Sequence, residues 1–202
     1  MRKTIALFAA LSVLMATSAS AKDSASDIVT RVERYLNSLT TVTAKFTQVA
    51  PDGNIAEGVF YLQRPGKMRW EYDPPVPIVM VSNGDTLIYY DSELQQTNHI
   101  PIKDTLAGFL ARKHISLTED VAVDSVEQDA GMVRVSLHQK TAPDEGGLML
   151  VFADAPFRLH SLRVTDATDQ ETRIAFSGAV FGQPIDQKKF DLTATTNPRR
   201  ER

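Results

Sequence analysis

Hydrophobic side chains recur along this chain with two periods, and the change of period separates one helix from a long series of strands. From Ile28 to Leu39 they recur at helical spacing with charged residues opposite, which predicts an amphipathic helix over 28–39. Ser24, followed three residues later by Asp27, fits a capping box at its start. After Leu39 the period becomes two, as in strands whose faces differ in polarity.

Eleven later segments predict β-strands, at 41–50, 57–64, 67–73, 77–82, 86–91, 94–100, 119–126, 131–138, 147–153, 158–165 and 171–178. Turn signals such as Pro65-Gly66 and Asn83-Gly84 separate most of them. We therefore expect a mainly β protein with helices (α+β), built on a single antiparallel sheet of about eleven strands. A sheet of that width must curl or close, because its twist accumulates and its open edges invite pairing.

Two segments interrupt the strands. Residues 103–113 predict a short helix with the apolar residues Leu106, Ala107, Phe109 and Leu110. Arg112 and Lys113 suit its C-terminus, whereas Gly108 costs about 1 kcal/mol relative to alanine. Residues 184–190 predict one further helical turn. These helices either cap the concave side of the curled sheet or plug one end of its core, and the pattern alone favours the plug slightly.

The turn at Pro65-Gly66 follows an arginine that shares a strand face with apolar residues. Counting back by twos, Arg64 lies on the same face as Leu62 and Phe60. Burying an unpaired charge is expensive, so this arginine needs partners and could act as a latch.

The N-terminus predicts export. Residues 1–21 combine Arg2 and Lys3, an apolar run and an Ala-Ser-Ala cleavage site, as in a secretory signal peptide. The remaining 22–202 fit one domain, without cysteines and without a further apolar run long enough to span a membrane. Without its signal the chain carries 20 basic and 25 acidic residues, a net charge of about −5, which argues against nucleic-acid binding.

Motifs for common catalytic chemistry are absent from the sequence. It contains no phosphate-binding loop, no HExxH and no GxSxG, and it offers no cysteine nucleophile. The histidines are scattered singly and make a weak case for a metal site: His99, His114, His138 and His160. We therefore expect no cofactor, no metal and no enzymatic activity.

A hydrophobic surface remains as the candidate site. Its residues either line one concave face or fill a barrel core: Phe46, Phe60, Leu62, Met68, Trp70, Met80, Leu87 and Tyr89. A wide sheet encloses more volume than its side chains readily fill, and methionines suit adaptable packing around a flexible ligand. Both faces of 77–82 and 86–91 are apolar, so the pattern does not decide which face of these strands points inward.

Several ordered motifs along residues 24–192 resemble the LolA family, the periplasmic carriers that sort lipoproteins to the outer membrane. The matching stretches are Phe46-Thr47-Gln48, Gly58 to Pro65, Met68 to Tyr72, Val81 to Leu87, Tyr90-Asp91, Gln95-Gln96, Phe109-Leu110-Ala111 and Phe190-Asp191-Leu192.

The resemblance implies an unclosed β-barrel whose short helices form a lid over a hydrophobic cavity. It implies that Arg64 holds the lid shut through hydrogen bonds to lid backbone, as the fork of donors on arginine allows. Acyl chains would contact the concave-face residues together with Leu106, Phe109 and Leu110 of the lid helix. The structural alternative for Arg64 is that it only satisfies carbonyls of the hairpin.

The resemblance also implies partners. A monomeric periplasmic carrier would take acylated outer-membrane lipoproteins from an inner-membrane ABC transporter of the LolCDE type. It would hand them to an outer-membrane acceptor of the LolB type, where one exists. Because a fold does not determine function, a lipid- or lipoprotein-binding sensor of the same fold is the alternative, and a periplasmic hydrolase using the same cavity is a third hypothesis.

Overall fold

The computed structural model describes residues 23–102, 105–119 and 121–193, so the predicted signal peptide at 1–21 lies outside the described residues. Helix α1 spans Ala25–Ser38 and starts at the predicted cap, where the Ser24 hydroxyl oxygen accepts a hydrogen bond from the Asp27 backbone N–H at 3.1 Å. Helix α2 spans Leu106–Ala111, within the predicted 103–113. Helical periodicity therefore located both α-helices.

All eleven predicted strands are present, with ends shifted by a few residues. They are β1 Thr41–Val49, β2 Ile55–Gln63, β3 Lys67–Tyr72, β4 Ile78–Asn83, β5 Thr86–Asp91, β6 Gln96–Pro101, β7 Val121–Asp129, β8 Met132–Gln139, β9 Gly146–Ala153, β10 Arg158–Asp166 and β11 Glu171–Phe181.

The strands form one antiparallel sheet in the order β6-β5-β4-β3-β2-β1-β11-β10-β9-β8-β7. The first and last strands of the chain, β1 and β11, pair at its centre, and two meanders run outward from them. β6 and β7 are the outer edges, and within the described residues no pairing joins them. The prediction of an unclosed, curled antiparallel sheet is confirmed.

One hydrophobic cluster fills the concave side of the sheet. It takes buried residues from both meanders and from both helices, so the sheet must curl around the helices to bring them together. From α1 it takes Ile28, Val32 and Leu36, none more than 2% exposed. These three positions lie on one stripe of the helix, which explains why α1 packs into the curl.

Polar side chains of α1 anchor it at two places. The Asn37 amide donates to the Ile115 carbonyl oxygen at 2.8 Å and accepts from the Ile115 N–H at 2.9 Å. Arg31 donates to the Asp154 carboxylate, with Nη1 2.7 Å from Oδ1, and its guanidinium lies 4.0 Å from the centre of the Phe157 ring. The helix is therefore attached both to the segment after α2 and to the turn between β9 and β10.

The second predicted helical turn forms as a 3₁₀ helix at Gln187–Phe190, but on the outer face of the sheet. Lys189 Nζ lies 2.9 Å from Glu71 Oε2, and Arg69 Nη1 donates to the Lys189 carbonyl oxygen at 3.2 Å. Arg69 and Glu71 point away from Trp70, which is in the concave core. The expectation that this turn caps or plugs the concave side is wrong, because its charged groups pair with the charged outer face of β3.

A small second cluster shows which faces of β4 and β5 point away from the core. Val81, Ile88 and Tyr90 are buried together on the outer face, with Leu192 packed against them. On the inner face, Met80 lies opposite both Trp70 and Tyr89. Both faces of these strands are apolar because both are covered, one by the core and one by the C-terminal segment.

Gly58 in β2 lies where no side chain fits. A Cβ added there would lie 2.1 Å from the Glu71 carbonyl oxygen and 2.8 Å from the Phe46 ring. The absence of a side chain at this position lets the Phe46 ring cross over β2.

We predict that Gly58→Ala lowers the free energy of unfolding by roughly 1–3 kcal/mol, the usual cost of overpacking a dense core. Urea denaturation of the two purified proteins measures this difference. Gly147→Ala is the matched control, because the nearest atom to its added Cβ is the Leu137 carbonyl oxygen at 3.3 Å. Equal effects of the two substitutions would contradict the packing argument.

Candidate functional site

Two cavities lie between the helices and the concave face of the sheet. The smaller has a volume of about 40 Å³ and lies between α1 and the centre of the sheet. Arg64 is the charged residue in an otherwise apolar wall made by Tyr35, Leu36, Leu39, Val42, Ala44, Phe60, Leu62, Arg64, Leu110, Leu159, Phe176, Ala179 and Phe181.

The larger cavity has a volume of about 300 Å³ and lies toward β8–β11. Apolar side chains and a few polar groups line it: Trp70, Leu110, Gln139, Ala142, Glu145, Gly146, Leu148, Leu162, Val164, Thr165, Asp166 and Ile174. Leu110 of α2 lines both cavities. Movement of α2 would therefore remove wall from both at once.

The turn between β2 and β3 holds the C-terminal end of α2. Arg64 Nε donates to the Leu110 carbonyl oxygen at 2.9 Å, and the Gly66 N–H donates to the Ala111 carbonyl oxygen at 2.7 Å. The last carbonyls of an α-helix have no partner inside the helix, so these bonds satisfy acceptors that would otherwise be unpaired. The Gly66 bond is a contact that the sequence analysis did not anticipate.

Arg64 is a partly buried cation with only part of its hydrogen-bonding capacity used. Burial lowers the pKa of the guanidinium to about 10, so the group stays charged at neutral pH. Its Nη1 and Nη2 atoms are buried and have no hydrogen-bond partner among the described residues. Such groups are costly to bury, which makes the arrangement around Arg64 less stable than its contact with α2 alone suggests.

The start of α2 is fixed by its cap and by a glycine. The Thr105 hydroxyl oxygen accepts a hydrogen bond from the Gly108 N–H at 2.9 Å. A Cβ on Gly108 would lie 1.9 Å from the Ile102 carbonyl oxygen. Helix propensity alone makes Gly108 unfavourable, but the close approach of α2 to the preceding segment requires a glycine at this position.

The structure brings the predicted site residues together. Eight belong to the main hydrophobic cluster and are at most 6% exposed: Phe46, Phe60, Leu62, Met68, Trp70, Leu87, Phe109 and Leu110. Met80 packs against this cluster. Tyr89, which lies opposite Met80 on the neighbouring strand, is half-buried. Leu106 lies in α2, but its side chain is outside the described part of the structure. That these residues contact a ligand stays a prediction.

Most of the cavity wall was not among the predicted residues: of the residues lining the two cavities, only Phe60, Leu62, Arg64, Trp70 and Leu110 were predicted. The remainder comes mainly from α1, β1 and β9–β11, including Leu36, Leu162, Ile174 and Phe176. Alternation within β10 and β11 could have indicated the strand residues, because Leu162 with Val164 and Ile174 with Phe176 follow the period of two. Which strands face each other across the curl could not be read from that pattern.

Residues 37–193 match the sequence profile of a family described as outer membrane lipoprotein carrier protein LolA. The chain belongs to the LolA family. A relative from Chromohalobacter salexigens, named outer-membrane lipoprotein carrier protein, is 35% identical over 171 residues, which cover 79% of this chain and 80% of the relative. A relative with the same name from Methylococcus capsulatus is 30% identical over 172 residues, covering 81% and 82%.

A solved structure supports the fold of this LolA-family chain. The crystal structure of a putative outer membrane lipoprotein-sorting protein domain from Vibrio parahaemolyticus superposes with a TM-score of 0.52 at 10% sequence identity. The match covers 84% of this chain and 97% of that domain. Across the described ranges, neither helix has the length and apolar character needed to cross a membrane.

We predict that Arg64→Leu loosens α2 and exposes the single tryptophan to water. Trp70 and Leu110 line the same cavity, so tryptophan emission reports on the position of α2. The variant should show red-shifted emission and stronger acrylamide quenching than the unsubstituted protein. Arg134→Leu is the control, because it removes an arginine paired with Asp129 at the surface. Quenching that is the same in all three proteins would show that Arg64 does not hold α2.

Proposed function

We propose that this LolA-family chain is a periplasmic carrier that binds the acyl chains of lipoproteins in its lidded cavity and delivers them to the outer membrane. The observation that supports this most directly is an apolar cavity system whose shared wall, Leu110, belongs to a short helix held by Arg64. In this proposal α2 is the lid, Arg64 is its latch, and residues 1–21 are the signal peptide that directs export.

The cavity volumes support the proposal that the described structure is the closed form of such a carrier. Ligand pockets commonly measure about 300–1,000 Å³. The smaller cavity, at about 40 Å³, is below that range, and the larger, at about 300 Å³, is at its lower limit. Loading with long acyl chains therefore requires α2 to move, which would join the two cavities.

Release of the cargo requires that acyl chains are not bound too tightly. Burial of hydrocarbon contributes about 0.8 kcal/mol per CH₂, so complete enclosure of several chains would be nearly irreversible. Closure of the empty cavity competes with binding, because the closed form regains the bonds from Arg64 and Gly66 to α2. The latch thus lowers the net affinity for cargo and favours its transfer.

Carriage of this kind needs partners rather than chemistry. We propose that the cargo comes from an inner-membrane ABC transporter of the LolCDE type and passes to a LolB-type acceptor where one exists. The carrier acts as a monomer and catalyses no reaction. ATP hydrolysis by the transporter would supply the work of extracting the acyl chains from the inner membrane.

A release assay tests carriage. Spheroplasts that contain a radiolabelled triacylated lipoprotein are incubated with purified residues 22–202, and the supernatant is fractionated. We expect a soluble one-to-one complex whose amount depends on added protein. Binding without release would favour the lipid- or lipoprotein-binding sensor. Product accumulating beyond one equivalent would indicate a hydrolase.

We predict that Arg64→Leu accepts lipoprotein in this assay but retains it when outer-membrane acceptors are added. Without the latch, closure of the empty cavity no longer competes with the cargo. The fraction of radiolabel transferred to outer-membrane vesicles measures the effect, with Arg134→Leu as the matched control. Transfer by Arg64→Leu equal to that of the unsubstituted carrier would disprove the role of the latch while leaving carriage intact.

A further inference from the structure

The apolar site contains buried hydrogen-bond donors that no described residue accepts from. Among the described residues, four buried side-chain atoms have no hydrogen-bond partner: Arg64 Nη1, Arg64 Nη2, Trp70 Nε1 and Thr41 Oγ1. Arg64 lines the smaller cavity, and Trp70 lines the larger. Thr41 precedes Val42, which lines the smaller cavity, so its side chain is on the opposite face of β1.

The two residues in the cavity walls share one chemical property. A guanidinium and an indole N–H donate hydrogen bonds and accept none. Buried polar groups are nearly always paired in folded proteins, and an unpaired one calls for an explanation. Donors of this kind, set in hydrocarbon walls, match a ligand that is mostly hydrocarbon and brings acceptors without donors.

We propose that Arg64 and Trp70 recognise the ester carbonyl oxygens that join acyl chains to glycerol. This proposal rests on the proposed function and adds the chemical group that the site binds. A diacylglyceryl group carries two ester carbonyls on neighbouring carbon atoms, one for each chain. With α2 moved, one carbonyl accepts from the Arg64 guanidinium and the other from the Trp70 indole, while the chains extend along the apolar walls.

The two donors belong to the same hairpin. Arg64 directly follows β2, and Trp70 lies in β3 opposite Phe60, so one hairpin presents both groups. When α2 is closed, Arg64 Nε is bonded to the Leu110 carbonyl oxygen. Arg64 Nη1 and Nη2, which have no partner among the described residues, can donate to an ester carbonyl, whereas the Nε bond to the lid is broken when the helix moves.

Ester and ether ligands separate carbonyl recognition from burial of hydrocarbon. The probes are a synthetic lipopeptide whose N-acylated cysteine carries two ester-linked hexadecanoyl chains on its glyceryl group, and a counterpart with two ether-linked hexadecyl chains. Affinities for the full mature chain are measured by displacement of a fluorescent fatty acid. We expect the ester form to bind at least about tenfold more tightly, because the ether form leaves the buried donors unpaired.

Substitutions of Arg64 and Trp70 test whether these two residues cause the preference for the ester. In Trp70→Phe and in Arg64→Leu, the ratio of the affinity for the ester to the affinity for the ether should fall about threefold or more. This expectation holds even if a substitution changes both affinities. Phe60→Leu is the matched control: it alters the apolar wall without removing a donor, so both affinities should fall together and the ratio should persist. Thermal melts followed by circular dichroism establish that each variant is folded.

The outcomes distinguish this inference from carriage itself. Equal affinity of the unsubstituted protein for both lipopeptides, or a ratio that survives both donor substitutions, would overturn carbonyl recognition and leave carriage standing. Failure to bind either lipopeptide would overturn both proposals.

A matching pair of diacyl and dialkyl phosphatidylglycerols identifies the source of the ester. A preference for the diacyl form there as well extends the recognised group to phospholipids. Palmitate bound as tightly as the diester would replace ester recognition by carboxylate recognition.

Discussion

The attachment of one short helix to one hairpin turn is the interaction on which this structure depends. The concave face of the sheet is apolar and must be kept from water, and α2 contributes Phe109 and Leu110 to its cover. A helix of this length is not stable alone, because nucleation costs more than a single turn regains. Its last carbonyls are held by Arg64 and Gly66, so the cover persists only while the hairpin supplies those donors.

The two helices over the concave face are attached in different ways. α1 buries a full apolar stripe and adds polar contacts through Asn37 and Arg31, which reach separate parts of the fold. α2 has only six residues, and its ends are held by the Thr105 cap and by the bonds from Arg64 and Gly66. Elements with fewer contacts open at lower free-energy cost, so α2 is the element suited to move while α1 and the sheet stay in place.

The polarity of β3 separates the two sides of the sheet. Its inner residues, Met68 and Trp70, are in the core, whereas Arg69 and Glu71 on the outer side bind the C-terminal segment through Lys189. Burial raises the pKa of Glu71, but hydrogen bonds from Lys189 and Arg69 outweigh it and hold the pKa below its ordinary value. The charged contacts are thus kept on the outer face, and the side that faces the cavities stays apolar apart from the donors of Arg64 and Trp70 and a few polar groups of the larger cavity.

Local pattern by itself determined the elements of this protein. The helical stripe from Ile28, the alternation of eleven strands and the turn at Pro65-Gly66 each follow from neighbouring residues, and most ends agree within a few positions. The prediction that Arg64 needs partners also follows from its place on an apolar face. Only the tertiary structure decided which faces of β4 and β5 point inward, because Val81 and Met80 are both apolar and different parts of the chain cover them. It also decided that Gln187–Phe190 lies outside and that β9–β11 complete the cavity walls, since those contacts join residues far apart in sequence, which no local period records.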